Sequence, residues 1–250
     1  MEPPPWEREV WVDEGPLRRA AEDAAERGAA TAGPAPRRPR GDLDPVVVAE
    51  VQRDAAAGRA ARYHERLLSA SEALDRGRFD DARRMVQPVL RDLPNVALAH
   101  EVAGLAWYGV GQWKKAAAEL EMARTLGQGV RLHAVLADCY RALRRYDTVA
   151  ELWRELRAAS PAPELMAEGR IVAAGALADQ GDLRGAIGLF ERLRDTPRTV
   201  RAHHLRQWYV LGDLLDRSGD IVEARRMFAR VASVDPEFVD VRERLAALGR

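Results

Sequence analysis

The sequence is short of lysine, cysteine and long apolar runs, and the last two shortages each exclude a class of protein. Of its 39 basic residues two are lysine, Lys114 and Lys115, and the remaining 37 are arginine. Together with the abundant alanine, this bias indicates a GC-rich bacterial genome. The 39 acidic residues balance the basic ones, so the formal net charge is zero. The overall positive charge that favours binding to a phosphate backbone is therefore missing.

Cysteine occurs once, as Cys139. A single cysteine excludes an intramolecular disulfide and is typical of a protein in a reducing cytosol. The N-terminus opens with Glu2 and three prolines and lacks the apolar segment of a signal peptide. The longest apolar run, 171–178, is less than half as long as a bilayer span. The sequence therefore predicts a soluble, cytoplasmic protein.

The most regular stretch of the chain lies between Gln207 and Pro236. Large and small residues follow one another there at fixed spacing: Trp208, Leu211, Gly212, Leu215, Ala224, Phe228 and Pro236. A small residue on each of two helices lets them cross closely, and the large residues fill the space around the crossing. This order and spacing resemble the 34-residue helix–turn–helix unit of tetratricopeptide repeat (TPR) proteins.

The same spacing recurs at intervals of about 34 residues between positions 61 and 236. Small residues of the second helix are Ala82, Ala116, Val149, Ala186 and Ala224, and those of the first helix are Ala70, Gly104, Ala137, Ala174 and Gly212. A large residue then follows in each unit: Val86, Leu120, Trp153, Phe190 and Phe228. The turn between the two helices carries Gly77, Gly111, Gly181 or Gly219, and Arg144-Arg145 in the third unit. The resemblance implies an all-α fold, a right-handed α-solenoid of about five TPR hairpins.

We therefore divide the chain into a disordered N-terminal tail (1–43), a leading helix (44–60, its helical part 46–57) and a TPR solenoid (61–250). The tail is rich in proline, alanine and arginine, and Asp44-Pro45 is a typical helix start. The repeats are expected at about 63–94, 97–127, 130–161, 164–197 and 199–236, with a C-terminal capping helix at 237–248. Their helices are expected at 63–76 and 79–92, 97–110 and 112–126, 131–143 and 146–159, 164–180 and 183–194, and 199–218 and 221–234.

We find no residue pattern typical of catalysis, a cofactor or a metal. The segment 109–114 lacks the complete signature of a phosphate-binding loop. His203 and His204 are adjacent, so on a helix their side chains should diverge by about 100° and cannot chelate one metal. The remaining histidines lie in separate repeats, and Cys139 has no histidine at helix-neighbour spacing. We expect a protein that is not an enzyme and uses no cofactor.

The TPR resemblance implies a concave groove lined by the first helix of each repeat. Counted from the small residue of that helix, the polar groove residues are Glu101, Tyr108, Arg131, Asp138, Arg141, Glu168, Arg206, Tyr209, Asp213 and Asp216. TPR domains that hold the C-terminal carboxylate of chaperones use a Lys/Asn/Arg clamp. The matching positions here are Leu67, Ser71 and Glu101, so that clamp is absent. Acidic residues outnumber basic ones in the C-terminal half of the groove, and we expect a partner segment with basic and apolar side chains.

These features predict a non-enzymatic scaffold that binds a partner peptide or protein surface in the groove. Trp6 and Trp11 form a second candidate docking motif in the tail, for a partner or for the chain's own solenoid, unless their presence there is incidental. The basic run 37–40 leaves a ribosome- or RNA-associated accessory factor as the alternative. The segments 102–113 and 169–181 are also similar to uncharacterised TPR proteins of GC-rich bacteria.

Overall fold

The computed structural model describes residues 43–56, 58–191 and 197–249. All regular structure in these residues is helical, and they contain no strand. They fall into two compact units, divided after residue 191. The candidate motif of Trp6 and Trp11 and the basic run 37–40 lie outside the described residues, as does the predicted tail up to residue 42.

The helices of each unit follow one another with short links. The described residues of the first unit form α1 (Pro45–Asp54), α2 (Ala60–Asp75), α3 (Phe79–Asp92), α4 (Ala97–Gly109), α5 (Trp113–Ala123), α6 (His133–Ala142), α7 (Tyr146–Ala159), α8 (Pro163–Asp179) and α9 (Leu183–Gly188). Those of the second unit form α10 (Ala202–Ser218), α11 (Ile221–Val234) and α12 (Val241–Leu248). None of these helices combines the length and the apolar character that crossing a bilayer requires.

Neighbouring helices pack in pairs, so the predicted helical hairpins are present. In the first unit α2 packs on α3, α4 on α5, α6 on α7 and α8 on α9, and in the second unit α10 packs on α11. Each pair is joined by a turn with one residue at positive φ: Gly77 (68°), Gly111 (73°), Arg144 (56°), Gly181 (84°) and Gly219 (85°). Glycine adopts this conformation without steric cost. The third hairpin makes the same turn with an arginine, where the sequence lacks glycine.

The repeated frame of small and large residues forms the core. The small residues of the second helices, Ala82, Ala116, Val149, Ala186 and Ala224, are all at most 1% exposed. In the first helices, a Cβ on Gly104 would lie 2.7 Å from Cγ of Leu120, and one on Gly212 would lie 3.0 Å from Cε1 of Phe228. The two helices therefore cross as closely as predicted. Trp153 is the exception among the large residues, since it is only half-buried.

Several predicted helix ends were wrong, and glycine explains two of them. Helix α5 stops at Ala123 and not at 126, because the chain leaves the α-helix through a π-helical turn (Arg124–Gln128) with Gly127 at φ 107°. A 3₁₀ turn (Gly129–Leu132) follows, so α6 begins at His133 and not at 131. Helix α9 ends at Gly188, six residues before its predicted end. Each glycine costs a helix roughly 1 kcal/mol relative to alanine, and α9 contains two.

The first and last helices are shorter than predicted. Helix α1 begins at Pro45 as expected, and the carboxylate of Asp44 accepts a hydrogen bond from the Val46 N–H at 2.9 Å, but the helix ends at Asp54 and not at 57. Helix α10 begins at Ala202 and not at 199. The capping helix α12 begins at Val241 and not at 237. Phe238 precedes α12 as a buried side chain, 2% exposed.

Candidate functional site

Four polar side chains form a continuous row across three helices of the first unit. The Tyr108 hydroxyl on α4 donates to Oδ2 of Asp138 on α6 at 2.6 Å. Arg141, one turn further along α6, lies 3.7 Å from Oδ1 of Asp138. Its Nε donates to Oδ2 of Asp179 on α8 at 2.7 Å. We call Tyr108, Asp138, Arg141 and Asp179 the polar row; it marks a face formed by the first helices of three successive hairpins.

A glycine on α8 determines how the polar row is exposed. A Cβ on Gly175 would lie 2.8 Å from Cζ of Arg141, so the guanidinium lies directly against the α8 backbone. As a result the Arg141 side chain is only 12% exposed, whereas the side chains of Asp138 and Asp179 are 27% and 29% exposed. The accessible charge of the polar row is therefore mainly acidic.

A second charged pair lies at the other end of α4 with the opposite exposure. Arg131, in the turn before α6, forms an ion pair with Glu101. The Glu101 side chain is 10% exposed and that of Arg131 is 52% exposed. Burial raises the pKa of Glu101, while the positive charge of Arg131 opposes that rise. Here the accessible charge is the cation.

In the second unit the predicted groove residues bind the chain itself, which corrects the expected exposure of Tyr209. Tyr209 is 4% exposed, and its hydroxyl donates to Asp240 in the segment before α12. The ring also packs edge-on against Phe228, with centroids 5.4 Å apart. In this conformation the Tyr209 side chain is therefore part of the core and not of an exposed groove surface.

The neighbouring carboxylates are held in the same way. Arg244 of α12 lies 2.7 Å from Oδ1 of Asp213 and 3.1 Å from Oδ2 of Asp216. Arg217 approaches Asp213 from one turn further along α10, at 3.7 Å. The two contacts of Arg244 hold α12 against α10. Charge reversal of the two aspartates would consequently disturb the packing of α12 as well as any binding surface.

The predicted groove residues thus form two groups, one in each unit. Glu101, Tyr108, Arg131, Asp138 and Arg141 join neighbouring helices of the first unit, while Tyr209, Asp213 and Asp216 join α10 to the C-terminal segment. Glu168 on α8 and Arg206 on α10 are half-buried.

Sequence reasoning missed the partners Asp179, Asp240 and Arg244. Four contacts between a first helix and the next turn or helix join residues 30 or 31 positions apart: Glu101 with Arg131, Tyr108 with Asp138, Tyr209 with Asp240, and Asp213 with Arg244. This separation is slightly shorter than the repeat. Complementary polar residues 30 or 31 positions apart could therefore have been used to predict these contacts from the sequence.

The surroundings of Cys139, His203 and His204 bear on nucleophilic chemistry and on metal binding. Cys139 is fully buried, and burial raises the pKa of its thiol to about 12, so the nucleophilic thiolate is not populated near neutral pH. The rings of His203 and His204 do not diverge as expected, since their centroids are 4.0 Å apart. Even so, nowhere in the described part of the chain do three or more His, Cys, Asp or Glu side chains form a group that could hold a metal ion.

The sequence matches no model of a known protein family and no curated protein. The basis for assigning a function is consequently the geometry of the two units, above all the polar row.

Proposed function

We propose that the chain is a TPR protein, its hairpins the units of a right-handed α-solenoid, and that it serves as a non-enzymatic scaffold for protein–protein interaction. The observation that carries this proposal is the polar row, which connects the first helices of three successive hairpins. In a TPR array these helices line the concave face, where partner segments bind. The buried frame of small residues at intervals of about 34 supports the same assignment.

The exposure of the polar row favours a basic partner segment. The side chains of Asp138 and Asp179 have more than twice the fractional exposure of the Arg141 side chain between them. Because Arg141 and Tyr108 already hold these carboxylates in position, they lose little conformational freedom on binding. Such preorganised charges set the orientation and the association rate of an oppositely charged partner. We therefore propose that lysine or arginine side chains of the partner lie over Asp138 and Asp179, with apolar side chains beside them.

The proposal is tested by affinity capture from a native lysate with the full chain as bait, with and without nuclease. We expect protein partners that survive nuclease treatment and are released by salt, because exposed charge pairs are screened. Asp179→Asn should reduce their capture several-fold, since it removes the charge of a partly exposed side chain while Arg141 keeps its contact with Asp138.

Asp92→Asn is a matched control for this experiment. Asp92 also accepts hydrogen bonds from an arginine and a tyrosine, Arg91 and Tyr63, but it lies at the end of α3, away from the polar row. Equal loss of capture in both variants would mean that the polar row is not the binding surface. Loss of all partners on nuclease treatment would favour the RNA-associated alternative.

A further inference from the structure

The first two hairpins of the chain are related by a shift of 34 residues in both helices. The shift takes Ala70 on α2 to Gly104 on α4, and Ala82 on α3 to Ala116 on α5. Because these small residues mark the helix crossing in each hairpin, residues related by the shift have equivalent positions around it. Two of these pairs matter here: Arg66 corresponds to His100, and Met85 corresponds to Glu119.

In the second hairpin this position holds a contact between a histidine and a carboxylate of the two helices. Nδ1 of His100 on α4 lies 2.7 Å from Oε2 of Glu119 on α5. The third hairpin repeats the arrangement one turn further along its second helix, where Nε2 of His133 on α6 lies 2.8 Å from Oε2 of Glu155 on α7. In both hairpins a basic side chain of the first helix therefore faces a carboxylate of the second.

The first hairpin has the basic residue without the carboxylate. Arg66 has the position that His100 and His133 have in the next two hairpins. The residues equivalent to Glu119 and Glu155 are Met85 and Pro88, neither of which has a carboxylate. In the described part of the chain, the guanidinium groups of Arg66 and of Arg62, one turn earlier on α2, have no hydrogen bond and no ion pair.

A surface depression of about 270 Å³ lies at this place. Its lining consists of Arg62, Glu65, Arg66, Ser69 and Met85. The two guanidinium groups and one carboxylate leave a surplus of one positive charge, the Ser69 hydroxyl adds a hydrogen-bond donor, and Met85 supplies an apolar wall. The depression can therefore accept one anionic group that has an aliphatic portion beside it.

We infer that this depression binds a glutamate or aspartate side chain of a partner protein, which takes the place that Glu119 fills in the second hairpin. Arginine suits this role because its planar guanidinium binds a carboxylate through two parallel hydrogen bonds. Because Glu65 offsets one of the two guanidinium charges, the net surplus is a single positive charge, which matches one carboxylate better than a chain of closely spaced phosphates. This surface is separate from the polar row, so the inference does not depend on the basic partner proposed there.

The test uses the full chain and two capped hexapeptides, one with glutamate alternating with leucine and one with glutamine in place of glutamate. NMR follows the Nε–Hε signal of Arg66 and the methyl signal of Met85, one of five methionines. We expect the glutamate peptide, titrated to roughly 10 mM, to shift both signals in a saturable way. The glutamine peptide, and inorganic phosphate at equal ionic strength, should both shift the Arg66 and Met85 signals much less than the glutamate peptide does.

Two variants locate the binding, each with a matched control. Arg62→Gln with Arg66→Gln should weaken peptide binding about tenfold or more, because hydrogen bonds to charged groups are lost. The control is Arg154→Gln with Arg184→Gln, which removes two exposed arginines and the same charge elsewhere in the unit. Met85→Glu should restore the internal carboxylate and displace the peptide, whereas Met122→Glu, at a side chain that is 45% exposed on α5, should not.

Each outcome decides for or against the inference. Saturable shifts that depend on glutamate and disappear in the Arg62/Arg66 and Met85→Glu variants support it. Absence of any shift up to the highest peptide concentration overturns it, as does equal binding of the glutamine peptide or of phosphate. A further outcome is that the Met85→Glu variant binds the glutamate peptide as tightly as the wild type while its Arg66 signal is unperturbed by the new carboxylate. That result would show that position 85 of the first hairpin is not equivalent to position 119 of the second, and it would overturn the inference.

Discussion

The hairpins α10–α11 and α4–α5 fill the same position with different chemistry. Four residues before the glycine at the helix crossing, α10 carries Trp208 and α4 carries His100. Trp208 is 2% exposed, and the guanidinium of Arg230 lies 4.9 Å from its ring. His100 is held instead by polar contacts, to Glu119 at 2.7 Å and to the Pro94 carbonyl oxygen at 2.9 Å.

The difference shows that one backbone arrangement can be stabilised by apolar area or by charge. Burial of an indole stabilises in proportion to its area and does not depend on pH. The two partners of His100 are both hydrogen-bond acceptors, so with Glu119 ionised both ring nitrogens have to carry a hydrogen. At this position the packing of the second hairpin therefore depends on the protonation of a histidine, whereas the packing of α10 on α11 depends on an indole that does not titrate.

Removal of the apolar side chain should have the largest effect. Trp208→Ala is expected to lower the free energy of unfolding of the second unit by about 3–5 kcal/mol, through lost burial and the cavity left behind. Denaturant unfolding followed by circular dichroism measures this loss. Val222→Ala on α11 is the control, because its side chain is 78% exposed, and it should change stability by about 0.5 kcal/mol or less. Similar losses in the two variants would show that Trp208 does not anchor the hairpin.

A larger side chain at the helix crossing should lower the free energy of unfolding by less than Trp208→Ala does. Gly212→Leu is expected to destabilise the α10–α11 hairpin by roughly 1–3 kcal/mol through overpacking, since even a Cβ there would lie 3.0 Å from the Phe228 ring. Arg217→Ala, on the exposed side of the same helix, should stay within about 0.5 kcal/mol. Denaturant melts that do not separate the two variants would contradict the close crossing of the helices.

Gly104→Leu extends this comparison to the polar hairpin. The Leu120 side chain lies still closer to the glycine there, at 2.7 Å from the added Cβ. Destabilisation at least as large as that of Gly212→Leu is therefore expected, by the same melts. A smaller loss of stability for Gly104→Leu would mean that the side chains and helices of the second hairpin move apart more easily to accommodate the leucine, in spite of the closer contact.

The helices and their turns could be predicted from sequence because both depend on local spacing. Ala224 and Phe228 share one face of a helix by their separation of four residues, and Gly219 marks the turn by its conformational freedom. Such signals recur in each unit, so a weak match in one is supported by the next. The same reasoning failed at Gly127, where a π-helical turn with φ 107° ends α5 early, because spacing does not distinguish a loosened last turn from a regular one.

The contacts of the candidate site depended on information that spacing does not contain. Arg244 reaches Asp213 because the chain turns back before α12, with Val239 at φ 52°, a conformation unusual for a β-branched residue. Nothing local to α10 indicates that turn. His100, by contrast, could have been paired with Glu119 from sequence, since the two stand on the first and second helix of one hairpin. The sequence-based expectations weighed His100 only against metal binding and did not include this contact.

The smallest expected effect is the pH dependence of the second hairpin. Burial of His100 opposes its charge, but the hydrogen bonds to Glu119 and to the Pro94 carbonyl outweigh burial and raise its pKa above the ordinary value. A histidine whose pKa is raised on folding stabilises the folded state fully below the unfolded pKa, about 6.5, and this stabilisation is lost as the pH rises through the higher folded pKa. The free-energy difference between the wild type and His100→Gln should accordingly be about 1 kcal/mol larger at a pH near 6 than near 9. Denaturant unfolding at the two pH values measures this difference, and NMR titration of the His100 ring gives its pKa.

Glu119→Gln is the control, because it removes the negative partner, so the pKa of His100 should fall in that variant. The prediction would be contradicted by a wild-type His100 pKa at or below about 6.5. It would also be contradicted by a His100 pKa that Glu119→Gln leaves unchanged, because Glu119 would then not stabilise the protonated ring.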